Sequence, residues 1–174
     1  MAINDRGDIA WFSPDPRAII PLDERFHVPR SLGRVLKQKK FDITYDRAFP
    51  SVIRACAKSH GETWISREIV EGYCLLHAEG HAHSVEVWRE GKLVGGLYGV
   101  HIGGAFFGES MFHRVTDTSK VALVTLVERL RSRGFALLDT QWMTPHLERF
   151  GTFVIPKHEY LEQLEPALKL AVEF

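Results

Sequence analysis

Apolar and polar residues alternate along this chain with two different periods, and the change of period marks out the elements. Residues 7–21 follow neither period, because Pro14, Pro16 and Pro21 interrupt them; short extended pieces around a Ser13-Pro14-Asp15-Pro16 turn are predicted there. Residues 29–38 read as a helix with Pro29 at its first position. A strand at 41–45 follows, then a helix near 47–58 capped by Asp46, with Pro50 tolerated in its first turn. Ser66 and Glu68 open another helix, which places Ile69, Val70, Tyr73, Leu76 and His77 on one face and stops at Gly80. The period then becomes two. Residues 83–88 and 92–100 alternate around a Glu90-Gly91 turn, and a third strand covers about 105–112. A long amphipathic helix starts at Thr118 or Ser119, runs to about Arg133 and ends at Gly134. A strand at 135–139, a short helix from Thr144, a strand near 152–155 and a helix over about 157–170 complete the pattern.

An antiparallel meander followed by a strand–helix unit predicts an α+β fold with a mixed, mainly antiparallel sheet flanked by helices. That order is compatible with the acyl-CoA N-acyltransferase (GNAT) architecture, which does not itself give function. The division expected is an N-terminal region over 1–40 carrying the helix of 29–38, then a catalytic domain over 41–174. With 174 residues, 45% hydrophobic and 25% charged, the chain can bury a real core.

Lys plus Arg equals Asp plus Glu at 22 each, so any nucleic-acid contact must come from a local patch. Arg30, Arg34 and Lys37 form such a patch at i, i+4 and i+7, with Lys39 and Lys40 beyond, although a solvated helix face would look the same. Trp11, Phe12 and Trp64 could stack on a base or pack in the core. The segment up to Asp8 has no signal-peptide character, and no apolar run approaches the ~20 residues of a membrane span, which predicts a cytoplasmic protein. Cys56 and Cys74 read as buried thiols rather than a disulfide.

Two segments carry candidate chemistry. In Phe106-Phe107-Gly108-Glu109-Ser110-Met111-Phe112, strand alternation would put Phe107, Glu109 and Met111 on one face. A carboxylate between large apolar neighbours is costly to bury without a cation, so Glu109 would meet a substrate ammonium, reach solvent at the strand end, or pair with an internal arginine such as Arg114. In Leu137-Leu138-Asp139-Thr140-Gln141, Asp139 and Gln141 sit two apart at the C-terminal end of an apolar strand. Ligands gather at such ends in open sheets, although Asp139 could equally cap the next turn. His77, His81 and His83 lack a completing carboxylate or cysteine, so no metal is expected, and the absence of glycine-rich phosphate loops predicts no nucleotide cofactor.

Taken in order, several strings resemble the leucyl/phenylalanyl-tRNA–protein transferase family. They include Trp11-Phe12-Ser13-Pro14-Asp15-Pro16-Arg17, Phe26-His27-Val28-Pro29-Arg30-Ser31, Thr63-Trp64-Ile65 and Gly80-His81-Ala82-His83-Ser84-Val85-Glu86-Val87-Trp88. Leu93-Val94-Gly95-Gly96-Leu97-Tyr98-Gly99-Val100, Gly108-Glu109-Ser110-Met111-Phe112, Ser119-Lys120, Asp139-Thr140-Gln141, Thr144-Pro145-His146-Leu147 and Phe150-Gly151 continue the series over roughly residues 7–165.

The resemblance implies a monomeric aminoacyltransferase on a GNAT-like domain, moving Leu or Phe, sometimes Met, from charged tRNA to proteins that begin with Arg or Lys. It implies that Glu109 lies near the α-amino group of the aminoacyl ester, and that Leu97, Met111, Leu123, Leu126, Leu130 and Leu138 line the side-chain pocket. Leu123, Leu126 and Leu130 independently share one helical face. It places Asp139 and Gln141 at the catalytic positions, Trp64 at the terminal adenosine, and Arg30, Arg34 and Lys37 at the acceptor stem. Against the family, Met1 falls about where an aromatic-rich N-terminal segment ends, the pattern either of a short form or of a start set too late. Two other readings stay open: a binding module without turnover, and an acyl-CoA-dependent N-acetyltransferase. The second requires a glycine-rich pyrophosphate loop, and Arg114-Val115-Thr116-Asp117-Thr118-Ser119 contains no glycine.

Overall fold

The computed structural model describes residues 2–3, 9–10, 12–59 and 64–174. Trp11 and Thr63, which the sequence singled out, lie outside the described residues. A two-stranded ribbon pairs β1 (Ala2–Ile3) with β2 (Ile9–Ala10). The main sheet contains β3 (Arg17–Ile20), β4 (Asp42–Tyr45), β5 (Ala82–Arg89), β6 (Lys92–Ile102), β7 (Ala105–His113), β8 (Leu137–Gln141) and β9 (Phe153–Ile155). Its order is β4-β5-β6-β7-β8-β3-β9, and the pair β7–β8 is parallel while the other neighbours are antiparallel. The helices are α1 (Arg30–Lys37), α2 (Phe49–Ser59), α3 (Arg67–Ala78), α4 (Thr118–Ser132), α5 (Pro145–Glu148) and α6 (Lys157–Leu168). This is the mixed, mainly antiparallel α+β sheet flanked by helices that the hydrophobic pattern predicts. Among the described residues no helix is long and apolar enough to cross a membrane.

The two faces of the sheet bury different helices. Val85, Val87, Leu97, Phe106 and Leu138 pack with α4 in one core, and Leu32 of α1 closes it from outside. Ala82, Tyr98 and Phe112 pack with α2 and α3 on the opposite face, and Ala105 and Leu137 pack with Tyr160 and Ala167 of α6. Helix α4 is thus covered by sheet on one side and by α1 on the other. Val121, Ala122, Val124 and Val127 are buried along with the three leucines, so its apolar face is wider than an amphipathic stripe.

Capping partly follows local sequence. The Ser66 hydroxyl accepts from the Ile69 N–H at 3.3 Å, and the Thr144 hydroxyl from the Leu147 N–H at 3.3 Å, as the motifs predict. Asp46 does not cap α2. Its carboxylate accepts from the Ser84 N–H at 2.8 Å and lies 2.7 Å from His83 Nδ1, while the Ala48 N–H donates to Glu86 of β5 at 3.3 Å. A buried carboxylate across the sheet has displaced the local cap.

The expected N-terminal region up to residue 40 is also not set apart from the rest. β3 lies inside the sheet between β8 and β9, because Ala18, Ile19 and Ile20 form an apolar run buried on both faces.

Strand β6 carries glycine where neighbours come closest. A Cβ on Gly99 would collide with the Phe107 carbonyl and the Phe106 ring, whereas one on Gly33 of α1 would meet nothing within 4 Å. Gly99→Ala is expected to lower the unfolding free energy by roughly 1–3 kcal/mol through overpacking. Gly33→Ala should raise it by about 0.5–1 kcal/mol through helix propensity. Urea midpoints at unchanged slope would report both.

Candidate active site

The parallel pairing of β7 with β8 covers Ala105↔Leu137, Phe106↔Leu138 and Phe107↔Asp139, and stops there. Beyond it β7 continues to His113 and β8 to Gln141, and a cavity of about 960 Å³ opens where they part. Each flank carries a bulge. On β7, Tyr98 pairs with Ser110 and Gly99 with Gly108, which leaves Glu109 as the extra residue. On β8, Ala18 pairs with Gln141 and Ile19 with Asp139, which leaves Thr140. Bulges beside a cleft re-aim side chains that strict alternation would send elsewhere.

The first consequence corrects an expectation. Phe107, Glu109 and Met111 do not share a face: Phe107 packs with the α6 core, Met111 packs with the α4 core, and the bulge between them turns Glu109 on its own. Glu109 lines the cavity, half-buried, and its carboxylate accepts from the Tyr73 hydroxyl of α3. Arg114, weighed as a partner, is turned away and donates instead to the Leu93 carbonyl at 3.1 Å. Burial pushes the Glu109 carboxyl above its usual value, the Asp139 charge adds to this, and Tyr73 and Arg17 oppose it. Burial and the nearby Glu109 charge likewise raise Tyr73 and Tyr98, so both phenols stay neutral.

Next to Glu109 the cavity is apolar. Leu97 and Met111, opposite each other across β6 and β7, meet Leu123 and Leu126 of α4 and Leu138 of β8. Leu130 is not among these residues. It lies a turn further along α4, fully buried in the core, because the helix face that lines the cavity runs on past the end of the cavity. Trp64 stands on the wall with Ser59, and Phe12 is exposed. The far end is polar, with His113, Lys120 and His146. Lys120 is held by Asp117 at 2.7 Å, and burial together with Lys120 lowers the His146 pKa.

Two positions apart, Asp139 and Gln141 would share one face of an unbroken strand. The bulge at Thr140 and a left-handed Gln141, with φ of 62°, separate them. Gln141 lines the cavity, while Asp139 is fully buried and does not. The Asp139 carboxylate accepts from Arg17 Nε at 3.0–3.1 Å and Arg17 Nη2 at 2.6 Å, from the Tyr160 hydroxyl at 2.8 Å and from the Gln141 N–H at 2.8 Å. Burial disfavours the Arg17 charge, and Asp139 more than reverses this, so the guanidinium pKa rises. Sequence reading did not single out Arg17, Tyr160 or Tyr73. Arg17 stood within a matching string, but nothing local ties it to a carboxylate 122 residues away.

Arg30, Arg34 and Lys37 are exposed on α1, outside the cavity, beside exposed Lys39 and Lys40. His77 Nδ1 lies 2.8 Å from the Ala82 carbonyl oxygen and His83 Nε2 lies 2.8 Å from His101 Nδ1, and among the described residues no group of three His, Cys, Asp or Glu is placed to hold a metal.

A half-buried carboxylate beside an apolar pocket, with an amide on the opposite strand, suits a ligand that carries both an amine and an apolar group. The comparisons sharpen this. A family model described as leucyl/phenylalanyl-tRNA protein transferase matches residues 19–165. A leucyl/phenylalanyl-tRNA–protein transferase of Herpetosiphon aurantiacus is 55% identical over 172 residues, covering 99% of this chain and 90% of its own. One from Akkermansia muciniphila is 55% identical over 171 residues, covering 97% and 89%. Among solved structures, a predicted acetyltransferase from Clostridium acetobutylicum aligns at 8% identity and a TM-score of 0.47, over 63% of this chain and 86% of that one. The chain belongs to the leucyl/phenylalanyl-tRNA–protein transferase family, and is an aminoacyltransferase.

Glu109 holds its proton more tightly folded than unfolded. The fold is therefore favoured below the usual carboxylate range and loses stability as pH rises from there through the raised value. Glu109→Gln removes that loss. Its thermal midpoint is expected to equal or exceed that of the unmutated chain at pH 8, with the difference closing towards pH 4. A variant less stable at pH 8 than at pH 4, relative to the unmutated chain, would mean that a cation already pairs with Glu109.

Proposed function

We propose that this chain moves leucine or phenylalanine, with methionine as a further donor, from aminoacyl-tRNA to the N-terminal Arg or Lys of acceptor proteins. Such a mark feeds N-degron proteolysis, and the enzyme acts as a cytoplasmic monomer without a cofactor. The observation that carries this reading is Glu109, a half-buried carboxylate beside a leucine-lined pocket with no cation paired to it among the described residues. An α-ammonium group would supply that cation, and Leu97, Met111, Leu123, Leu126 and Leu138 would take the side chain. A pocket of this type separates apolar from polar side chains well and similar apolar ones poorly.

The chemistry asks for little beyond alignment. The acceptor amine attacks the ester carbonyl, a C–N bond forms, the ester C–O bond breaks, and the amine proton passes to the leaving ribose oxygen, with the neighbouring 2′-hydroxyl as shuttle. An amide is too weak a base to take that proton, so Gln141 orients the amine through its side-chain carbonyl, and Asp139 fixes Gln141. Trp64 stacks near the terminal adenosine, while Arg30, Arg34 and Lys37 grip the acceptor stem as an exposed stripe. Asp117 at the start of α4 speaks against a coenzyme A pyrophosphate there, since it sets a carboxylate, paired to Lys120 at 2.7 Å, beside the end that would bind the anion.

The test is transfer of labelled leucine from leucyl-tRNA to a peptide beginning with arginine, with a glycine-initial peptide and Glu109→Ala as controls. Arginine-dependent label that disappears in the variant is expected. A folded chain that binds an aminoacyl-adenosine but transfers nothing would be a binding module instead. In the same assay, replacing Arg30, Arg34 and Lys37 by alanine should weaken tRNA binding and flatten its salt dependence by up to about 3 in log–log slope. An unchanged slope would remove α1 from the tRNA interface.

A further inference from the structure

Asp139 is held by groups that never reach the cavity. Arg17 comes from β3, which enters the sheet beside β8, and Tyr160 comes from the first turn of α6. The guanidinium is only 14% exposed, it reaches both carboxylate oxygens, and its carbon lies 4.8 Å from the centroid of the Tyr160 ring. A buried ion pair is a poor source of stability, because desolvation consumes most of its attraction. This one has a specific product. With Arg17 and Tyr160 bonded to the carboxylate, Oδ1 still accepts from the backbone N–H of Gln141. Gln141 is a non-glycine residue at φ of 62°, a conformation that costs about 1–2 kcal/mol and persists only where neighbours enforce it.

Building on the transferase reading, we infer that Arg17 is a positioning residue for the transfer step. Through Asp139 it holds Gln141 in the left-handed conformation that points its amide into the cavity, and the Tyr160 hydroxyl completes the hold. The guanidinium acts as a fork and not only as a charge: Nε and Nη2 fix the carboxylate plane, which a lysine ammonium cannot do. Arg17→Lys would keep the charge balance of the buried carboxylate and lose its orientation. Arg17 is outside the apolar pocket, so its effect should fall on the chemical step and spare aminoacyl binding.

Three variants test this: Arg17→Lys, Arg17→Ala with added guanidinium ion, and Tyr160→Phe, which keeps the ring and serves if the arginine variants fail to fold. Single-turnover transfer from leucyl-tRNA is expected to fall roughly 100-fold in Arg17→Lys and several-fold in Tyr160→Phe, on the scale of a displaced catalytic group. Affinity for a leucyl-adenosine analogue should stay within about two-fold, because no group at the apolar pocket changes. Guanidinium should restore part of the rate to Arg17→Ala. Hydrogen exchange at the Gln141 backbone amide should quicken in both arginine variants.

Near-normal transfer in Arg17→Lys and Tyr160→Phe would overturn the inference, and so would a rate loss matched by an equal loss of analogue affinity. If the unmutated chain transfers nothing, the transferase reading fails separately. Gln141 exchange then still decides the clamp: unchanged protection in Arg17→Lys overturns it, and lost protection sustains it.

Discussion

The parallel strands β7 and β8 share three paired positions and then separate, and their further backbone and side-chain groups must find partners elsewhere. On the β8 side the deficit is met by β3, which pairs with β8 from its other edge and brings Arg17 over Asp139. On the β7 side it is met by β6, at the cost of a bulge that leaves Glu109 outside the ladder. The cavity, its carboxylate and its amide all follow from that separation. A sheet that stayed paired to the ends of both strands would have closed that cavity.

The two carboxylates on the flanks of the cavity have opposite electrostatic situations. Asp139 has a guanidinium, a phenol and a backbone N–H, so its charge is used up inside the protein. Glu109 has one phenol as hydrogen-bond donor, and burial raises its pKa against that bond. One carboxylate is thus satisfied from within the fold and the other has no paired cation among the described residues. Tyr73 stabilises the Glu109 carboxylate by hydrogen bonding without satisfying its charge. The left-handed Gln141 belongs to the Asp139 side of the arrangement, facing the cavity but held from behind.

Local pattern carried most of the elements. Period-two alternation marks β5, β6 and β7, Glu90 and Gly91 both adopt positive φ at the turn between β5 and β6, and Ser66 and Thr144 cap where their spacing says they should. Leu97, Met111, Leu123, Leu126 and Leu138 line one cavity. Residue spacing misled where register changed. Two positions apart means one face only in an unbroken strand, so bulges at Glu109 and Thr140 defeated both face assignments. Leu130 shares the helical face of its neighbours, yet where a cavity ends is decided by the opposite wall.

The sequence by itself determined the kind and order of the elements from residue 29 onward, the class of the sheet and the family. These depend on periodicity and on short strings of neighbouring residues. Only the tertiary structure decided that residues 17–20 lie within the catalytic sheet, that Asp46 serves β5 rather than α2, and that Arg17 and Tyr160 hold Asp139 while Tyr73 attends Glu109. Each of these pairs groups far apart along the chain. Such partners are selected by strand order and by the need of a buried charge for a counter-charge, and neither leaves a mark in local spacing.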